Sequence, residues 1–201
     1  MSIHTFAQGF MVTGGLILAI GAQNAHVLKM GLTRQHVLPT VLICALSDAL
    51  LIGLGVCGMG ALLDRWPQAV QLATWAGAAF LFWYSMNSLR AAITKRSLQT
   101  PEGDSRTSLR SAVLLILAFT YLNPHTYLDT VILIGSIGAH LATSERWIFW
   151  LGCISASATW FALLGFGART LSPLFAKPQS WRVLDALVGV GMGALAFSLV
   201  H

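Results

Sequence analysis

The sequence predicts an all-α fold: a polytopic membrane protein of six transmembrane helices built as two inverted three-helix repeats. Three observations carry this reading. Of 201 residues, 56% are hydrophobic and only 9% charged, against about 25% charged in ordinary soluble domains. The uncharged stretches are long, at 1–28, 35–47 with 49–63, 66–89, 111–128 with 130–144, 147–168 and 186–201. Runs of about 20 apolar residues read as transmembrane helices. The basic residues fall in the gaps, and mostly in alternate gaps. The length suits one domain, and no polar segment is long enough to bury a core of its own.

The first span is expected at about 5–28. No Lys or Arg precedes Lys29, so the basic n-region of a cleavable signal peptide is missing. Gly21-Ala22-Gln23-Asn24-Ala25-His26 interrupts this span, with Gly31 placed to act near a C-cap. The second span, 36–63, carries Asp48 as its single charge. The third is expected at 67–89. A polar stretch with Pro and Gly, KRSLQTPEGDSRTS, then reads as a mobile linker. The fourth span, 111–139, holds Asn123-Pro124 and Asp129. The fifth, 147–168, carries Ser155, Ser157 and Thr159. Ser155 and Thr159 share a face at four-residue spacing and read as polar packing between helices. The sixth, 182–200, opens with Asp185 near Arg182, an expected interfacial ion pair. Clustered glycines such as Gly14-Gly15, Gly53/Gly55 and Gly189/Gly191/Gly193 read as sites where helix backbones approach closely.

Charge sets the orientation. Lys29 and Arg34, then Arg90, Lys95, Arg96, Arg106 and Arg110, then Arg169, Lys177 and Arg182 occupy the first, third and fifth connections. Only Arg65 and Arg146 lie on the other side. Ten of twelve basic residues therefore face the cytoplasm, and both termini are expected outside, in the periplasm. The net charge of +5 reads as topology and contact with anionic membrane lipids, not as nucleic-acid binding. Cys44, Cys57 and Cys153 lie in apolar runs without CxxC spacing, which argues against a disulfide framework.

The linker divides the chain into repeat one (about 1–92), linker (about 93–110) and repeat two (about 111–201). Three spans per half invert the second half in the membrane. Asn24-Ala25-His26 has a counterpart 99 residues on in Asn123-Pro124-His125. Cys44-Ala-Leu-Ser-Asp48 roughly matches Cys153-Ile-Ser-Ala-Ser157. Inverted repeats with interrupted helices at matching positions point to a transporter site.

The chemistry centres on two acids. Asp48 is twelve residues from His36, about 18 Å along a helix and near mid-membrane. A carboxylate there costs at least ~2.5–3.5 kcal/mol to insert, so such residues are usually functional. No Lys or Arg lies in a span core to neutralise Asp48 or Asp129. Two such acids suit a cationic ligand, or carry protons. At Asn123-Pro124, proline removes a helical N–H, clashes with the Thr120 carbonyl and pushes Asn123 out of the α region. The span should break there, with Asn123 as N-cap and Pro124 as first helical residue. The positive end of that half-helix would suit a carboxylate.

These motifs resemble a known family. GAQNAHVLKMGL, CALSDALLIGLGVCGMG, FLFWYS and above all YLNPHTYLDTVILIGS are similar to the lysine/arginine exporter (LysE-type) translocators, near their arginine-exporter branch. WRVLDALVGVGM extends the likeness almost to the end of the chain. The resemblance implies a bacterial inner-membrane exporter of basic amino acids, dimeric, and driven by the membrane potential or a proton gradient. It implies no enzyme activity, no cofactor and no metal. By motif, Gln23, Asn24, Asp48, Asn123, Pro124, His125 and Asp129 become candidate substrate-binding residues. Related exporters of neutral amino acids commonly carry Lys after the Asn-Pro pair; here it is His125, followed by Tyr127 and Asp129. A divalent-metal exporter using Asp48, His26, His125 and Cys44 is the rival class, but hard carboxylates beside a soft thiolate form no coherent ligand set. An intramembrane enzyme would need a motif such as GxSG or HExxH, and neither occurs.

Overall fold

Helix breaks, more than helix ends, organise this molecule. The computed structural model describes residues 2–18, 21–59, 67–93, 107–171, 173 and 178–200, and every regular element among them is helical. Most of the polar linker (94–106), with Lys95, Arg96 and Arg106, lies outside the described residues, as do Arg65 and Lys177.

The expected first span of 5–28 is instead two helices, α1 (Ser2–Ile17) and α2 (Ala22–Thr33), bent by 83°. The break falls where Gly21 takes an extended conformation, at φ −104° and ψ 178°. The second span is α3 (Val37–Leu54), which runs into a π-helical segment, Gly55–Met59. At the place of the expected third span lies α4 (Pro67–Ile93). The fourth breaks as expected, into α5 (Leu109–Tyr121) and α6 (Pro124–Tyr127). It continues through a second π segment (Leu128–Ile134) into α7 (Gly135–Ala139). α8 (Thr143–Gly167) stands where the fifth span is expected, and α9 (Pro178–Val200) where the last is. By length and composition Val37–Cys57 and Thr143–Thr170 are each long and apolar enough to cross a membrane, and the bent pair α1–α2 is so only when its two helices are taken together, as a broken span or a re-entrant loop.

Packing gives the direction of each helix. A side chain at Gly9 of α1 would strike the Phe149 carbonyl near the start of α8, and one at Gly31 of α2 would strike that of Gly165 near its end. The bent pair therefore follows α8 from its start to its end in the same chain direction, although the 83° between α1 and α2 keeps both from lying along its axis. α3 runs antiparallel to α8: Gly165 packs on Val37 and Val41, whereas Trp150 donates to the Ala49 carbonyl at 2.9 Å. α4 and α9 are antiparallel, since Gly189 abuts Leu89 and Gly193 abuts Ser85. Ser85 also donates to the Gly189 carbonyl at 2.6 Å.

The basic connections share one end of the molecule. Arg34 (φ 55°) and His36 (φ 51°) form a tight left-handed turn between α2 and α3. Arg34 and Gln35 donate to the Gly31 and Met30 carbonyls, closing the end of α2. Such backbone is strained for non-glycine residues, and two bonds to Thr107 hold it. The His36 Nε2 lies 2.7 Å from the Thr107 carbonyl, and the Thr107 N–H donates to Gln35 Oε1 at 2.9 Å. Lys29 of α2 sits 4.0 Å from Asp185 of α9 at a partly exposed pair. Arg146 has a local structural role: its guanidinium donates to the Ala139 and Leu141 carbonyls at the end of α7, where a cation favours the helix dipole.

The glycines differ in what a Cβ would meet. Gly9, Gly31, Gly55, Gly135, Gly152 and Gly189 all have backbone of a neighbouring segment within reach of it, and of these the close-packing reading names Gly55 and Gly189. Gly14, Gly15, Gly167 and Gly191 face open space, so they are not packing glycines here. Gly55 meets Gly135 directly: a Cβ on Gly135 would stand 2.6 Å from the Gly55 Cα. This joins one π segment to the end of the other, and π segments are frequent at functional sites.

Candidate functional site

A cavity of about 190 Å³ opens where the two helix breaks face α3. Its volume is below the ~300–1,000 Å³ of drug-sized pockets and suits a small metabolite. Gln23, Asn24, Asp48, Asn123, His125 and Asp129 all line it, with Leu16, Ile17, Ile52 and Ile134 as apolar wall. Six of the seven candidate residues are thus brought together. Pro124 does not line the cavity; it is buried at the first position of α6 and acts through the backbone.

Asp48 is 4% exposed, deep in α3. One oxygen, Oδ2, accepts a 2.7 Å hydrogen bond from the fully buried Ser157 hydroxyl of α8. Ser157 was matched to Asp48 by the internal repeat, and the two now touch. The expected polar face of α8 was the other one. Ser155 turns back to its own Leu151 carbonyl at 2.7 Å, and Thr159 is exposed. Helix phase alone assigned the wrong stripe, because an alternating Ser-x-Ser-x-Thr run offers a polar residue to both sides. Asp129 lies in the second π segment and is 3.0 Å from His125 Nδ1, one helical turn away. This pair is partly exposed, with side chains 51% and 32% accessible.

The two matched asparagines do different work. Asn123 is extended (φ −98°, ψ 106°) and its Oδ1 accepts from the His125 N–H at 3.2 Å. Its carbonyl accepts from the Thr126 N–H at 3.1 Å. The N-cap expectation holds, but the donors expected to meet a carboxylate at this end are taken up by Asn123 itself. Across the break, the exposed Tyr121 carbonyl receives the Tyr127 hydroxyl at 2.9 Å. Tyr121 in turn donates to Ser47 at 3.1 Å, so the broken span is tied to α3 one residue from Asp48. Backbone groups freed inside a membrane need such partners. Asn24 braces the other break: Nδ2 donates to the Ile17 carbonyl at 2.8 Å, and Oδ1 accepts from Trp160 at 3.2 Å. Sequence reasoning missed Thr13, Tyr127 and Trp160. Thr13 had a readable signal, a polar residue one helical turn beyond Gly9 on the face that packs against α8.

Among the described residues no three His, Cys, Asp or Glu side chains gather as a metal site would. Cys44 and Cys153 are buried, and neither lines the cavity. The arrangement offers two carboxylates without a buried lysine or arginine beside them, several amide and hydroxyl groups, and apolar walls.

Comparison with known proteins is consistent across the chain. Residues 15–201 match the family described as LysE type translocator. The chain is 42% identical over 199 residues to "Arginine exporter protein ArgO" of Yersinia enterocolitica, covering 99% of this chain and 97% of that one. It is 40% identical to the protein of the same name from Photorhabdus laumondii, over 98% of this chain and 95% of the other. The Serratia proteamaculans protein of that name is also 40% identical, over 98% and 96%. No solved structure matches the chain.

Proposed function

This chain belongs to the LysE type translocator family, and on that premise we propose that it exports basic L-amino acids, arginine foremost, out of the cytoplasm. It is a multi-pass membrane transporter, and its similar relatives over nearly full length are named arginine exporters. The observation that carries the reading is the cavity itself: Asp48 and Asp129 share one small space between apolar helices with no Lys or Arg lining it. An acid buried as deeply as Asp48 calls for a cation. Arginine and lysine each bring two positive groups, the α-ammonium and the side-chain cation, and one carboxylate.

Six crossings arranged as two inverted repeats (about 1–92 and 111–201) account for the helix directions. α1–α2 and α8 run together, α3 runs against α8, and α4 runs against α9. On this arrangement both termini lie on one side, and the end bearing Lys29, Arg34 and Asp185 faces the cytoplasm of a bacterial inner membrane. Reporters active only inside or only outside the membrane, fused at residue 201 and within 97–105, check it. Cytoplasmic signals at both residue 201 and 97–105 would leave an even number of crossings between them, against the three proposed.

Energy comes from the membrane potential or a proton gradient. The His125–Asp129 pair, 3.0 Å apart, supports a simple exchange: the His125 imidazole occupies Asp129 when substrate is absent, and an arriving cation displaces it. A homodimer and contacts with anionic lipids complete the proposed setting. Uptake of labelled arginine and lysine into inverted membrane vesicles, with and without a proton gradient, tests the function. Saturable arginine uptake is expected, with little response to divalent metal ions. Metal uptake without arginine uptake would reverse the assignment.

A further inference from the structure

The two helix breaks meet the cavity differently. Asn123 caps the second one with its own side chain. The first, at the start of the twelve-residue α2, has Gly21 as its cap residue and no side-chain cap at all. Gly21, Ala22 and Gln23 line the cavity there, so the positive end of the α2 dipole points at the cavity wall. Two polar groups beside it have, among the described residues, no partner better than a thiol. Thr13 is 2% exposed, and its Oγ1 makes no hydrogen bond; the Cys153 thiol beside it is only a weakly bonding group. The buried Nε2 of Gln23 likewise has only a thiol beside it, that of Cys44. Both residues line the same cavity. Buried donors are ordinarily well satisfied, so two donors left with weak thiol neighbours at an uncapped helix start suit a stronger acceptor.

We propose that this wall is the carboxylate subsite: the α-carboxylate of the exported amino acid sits at the start of α2, accepting hydrogen bonds from Thr13 Oγ1 and Gln23 Nε2. A carboxylate has acceptor sites for several donors at once. The substrate's positive groups then reach Asp48 and Asp129 on the remaining wall. The first repeat thus holds the anionic end, and the capped second break shapes the cavity and places Asp129. This assignment rests on the cavity being the substrate site and deepens that reading.

Equilibrium binding of L-arginine and of its decarboxylated analogue agmatine to the full chain, purified in detergent, tests it. Wild type should bind arginine roughly tenfold more tightly than agmatine, the scale of hydrogen bonds to a charged group. Thr13→Val removes the hydroxyl at nearly constant shape, and arginine affinity should fall toward that of agmatine while agmatine affinity holds. Gln23→Glu places a negative charge where the carboxylate sits. It should weaken arginine by roughly tenfold or more and strengthen agmatine, an opposite response that a misfolded protein cannot give. Equal binding of the two probes by wild type, or equal weakening of both by each variant, overturns the subsite while leaving the cavity as a cation site. Binding of neither probe by wild type overturns the reading of the cavity and the subsite with it.

Discussion

Asp48→Asn should nearly abolish arginine export while the protein stays folded in the membrane. Asparagine keeps the size of the side chain and an oxygen for the Ser157 hydroxyl, which now donates at 2.7 Å, and it removes the charge. A hydrogen bond to a charged group contributes ~1.5–3 kcal/mol, so losing one that a cation makes only to Asp48 weakens binding roughly ten- to hundredfold. The change should leave thermal stability unchanged or improved, because a buried carboxylate costs more than a buried amide. Transport by Asp48→Asn vesicles, set against the amount of folded protein recovered, is the check. Near-normal export would make Asp48 a structural acid held by Ser157, and the cavity would lose its main reason for binding a cation.

Closing the second helix break should be nearly as damaging. Pro124 supplies no N–H, and Asn123 stabilises the break independently by capping His125. An N-cap contributes about 1 kcal/mol, so Pro124→Ala alone should only partly close the gap. The double substitution Asn123→Ala with Pro124→Ala removes both devices and favours one helix from Leu109 into the π segment. Taking Leu122 and Asn123 into that helix advances and rotates everything after them. His125 and Asp129 would leave the cavity, and the Tyr127 hydroxyl would lose the Tyr121 carbonyl it now meets. Export should fall at least roughly tenfold in the double variant, with the single variant between it and wild type. Thermal stability should not fall, since alanine is the better helix former. Normal export by a double variant with an unbroken helix would mean that the break is incidental.

The sequence made local breaks and capped ends readable because their causes are local. Pro124 and the extended preference it forces on Asn123 act within a few residues, and the structure starts α6 at Pro124. Gly21 likewise marks the first break, although nothing local in the sequence gives the 83° of the bend. Asp48 stood out because nothing nearby in sequence could neutralise it. What stayed hidden depends on partners far along the chain. Ser157 was indistinguishable from Ser155 until α8 showed which face meets α3. The π segments have no composition signal; they sit where Gly55 and Gly135 let two backbones touch. The Thr107 bonds to Gln35 and His36 cross 72 and 71 residues, beyond the reach of any local pattern. The second break was expected to offer free donors to a carboxylate. That expectation failed because the same asparagine that creates the cap also consumes the donor.

The most direct test removes everything but the protein and its lipid. Liposomes containing only the purified chain, preloaded with unlabelled L-arginine, should take up external labelled arginine by exchange, saturably and in competition with lysine. The same liposomes carrying Asp48→Asn should not. Exchange of arginine by wild type and variant alike, or none by either, would contradict a cation site built on Asp48.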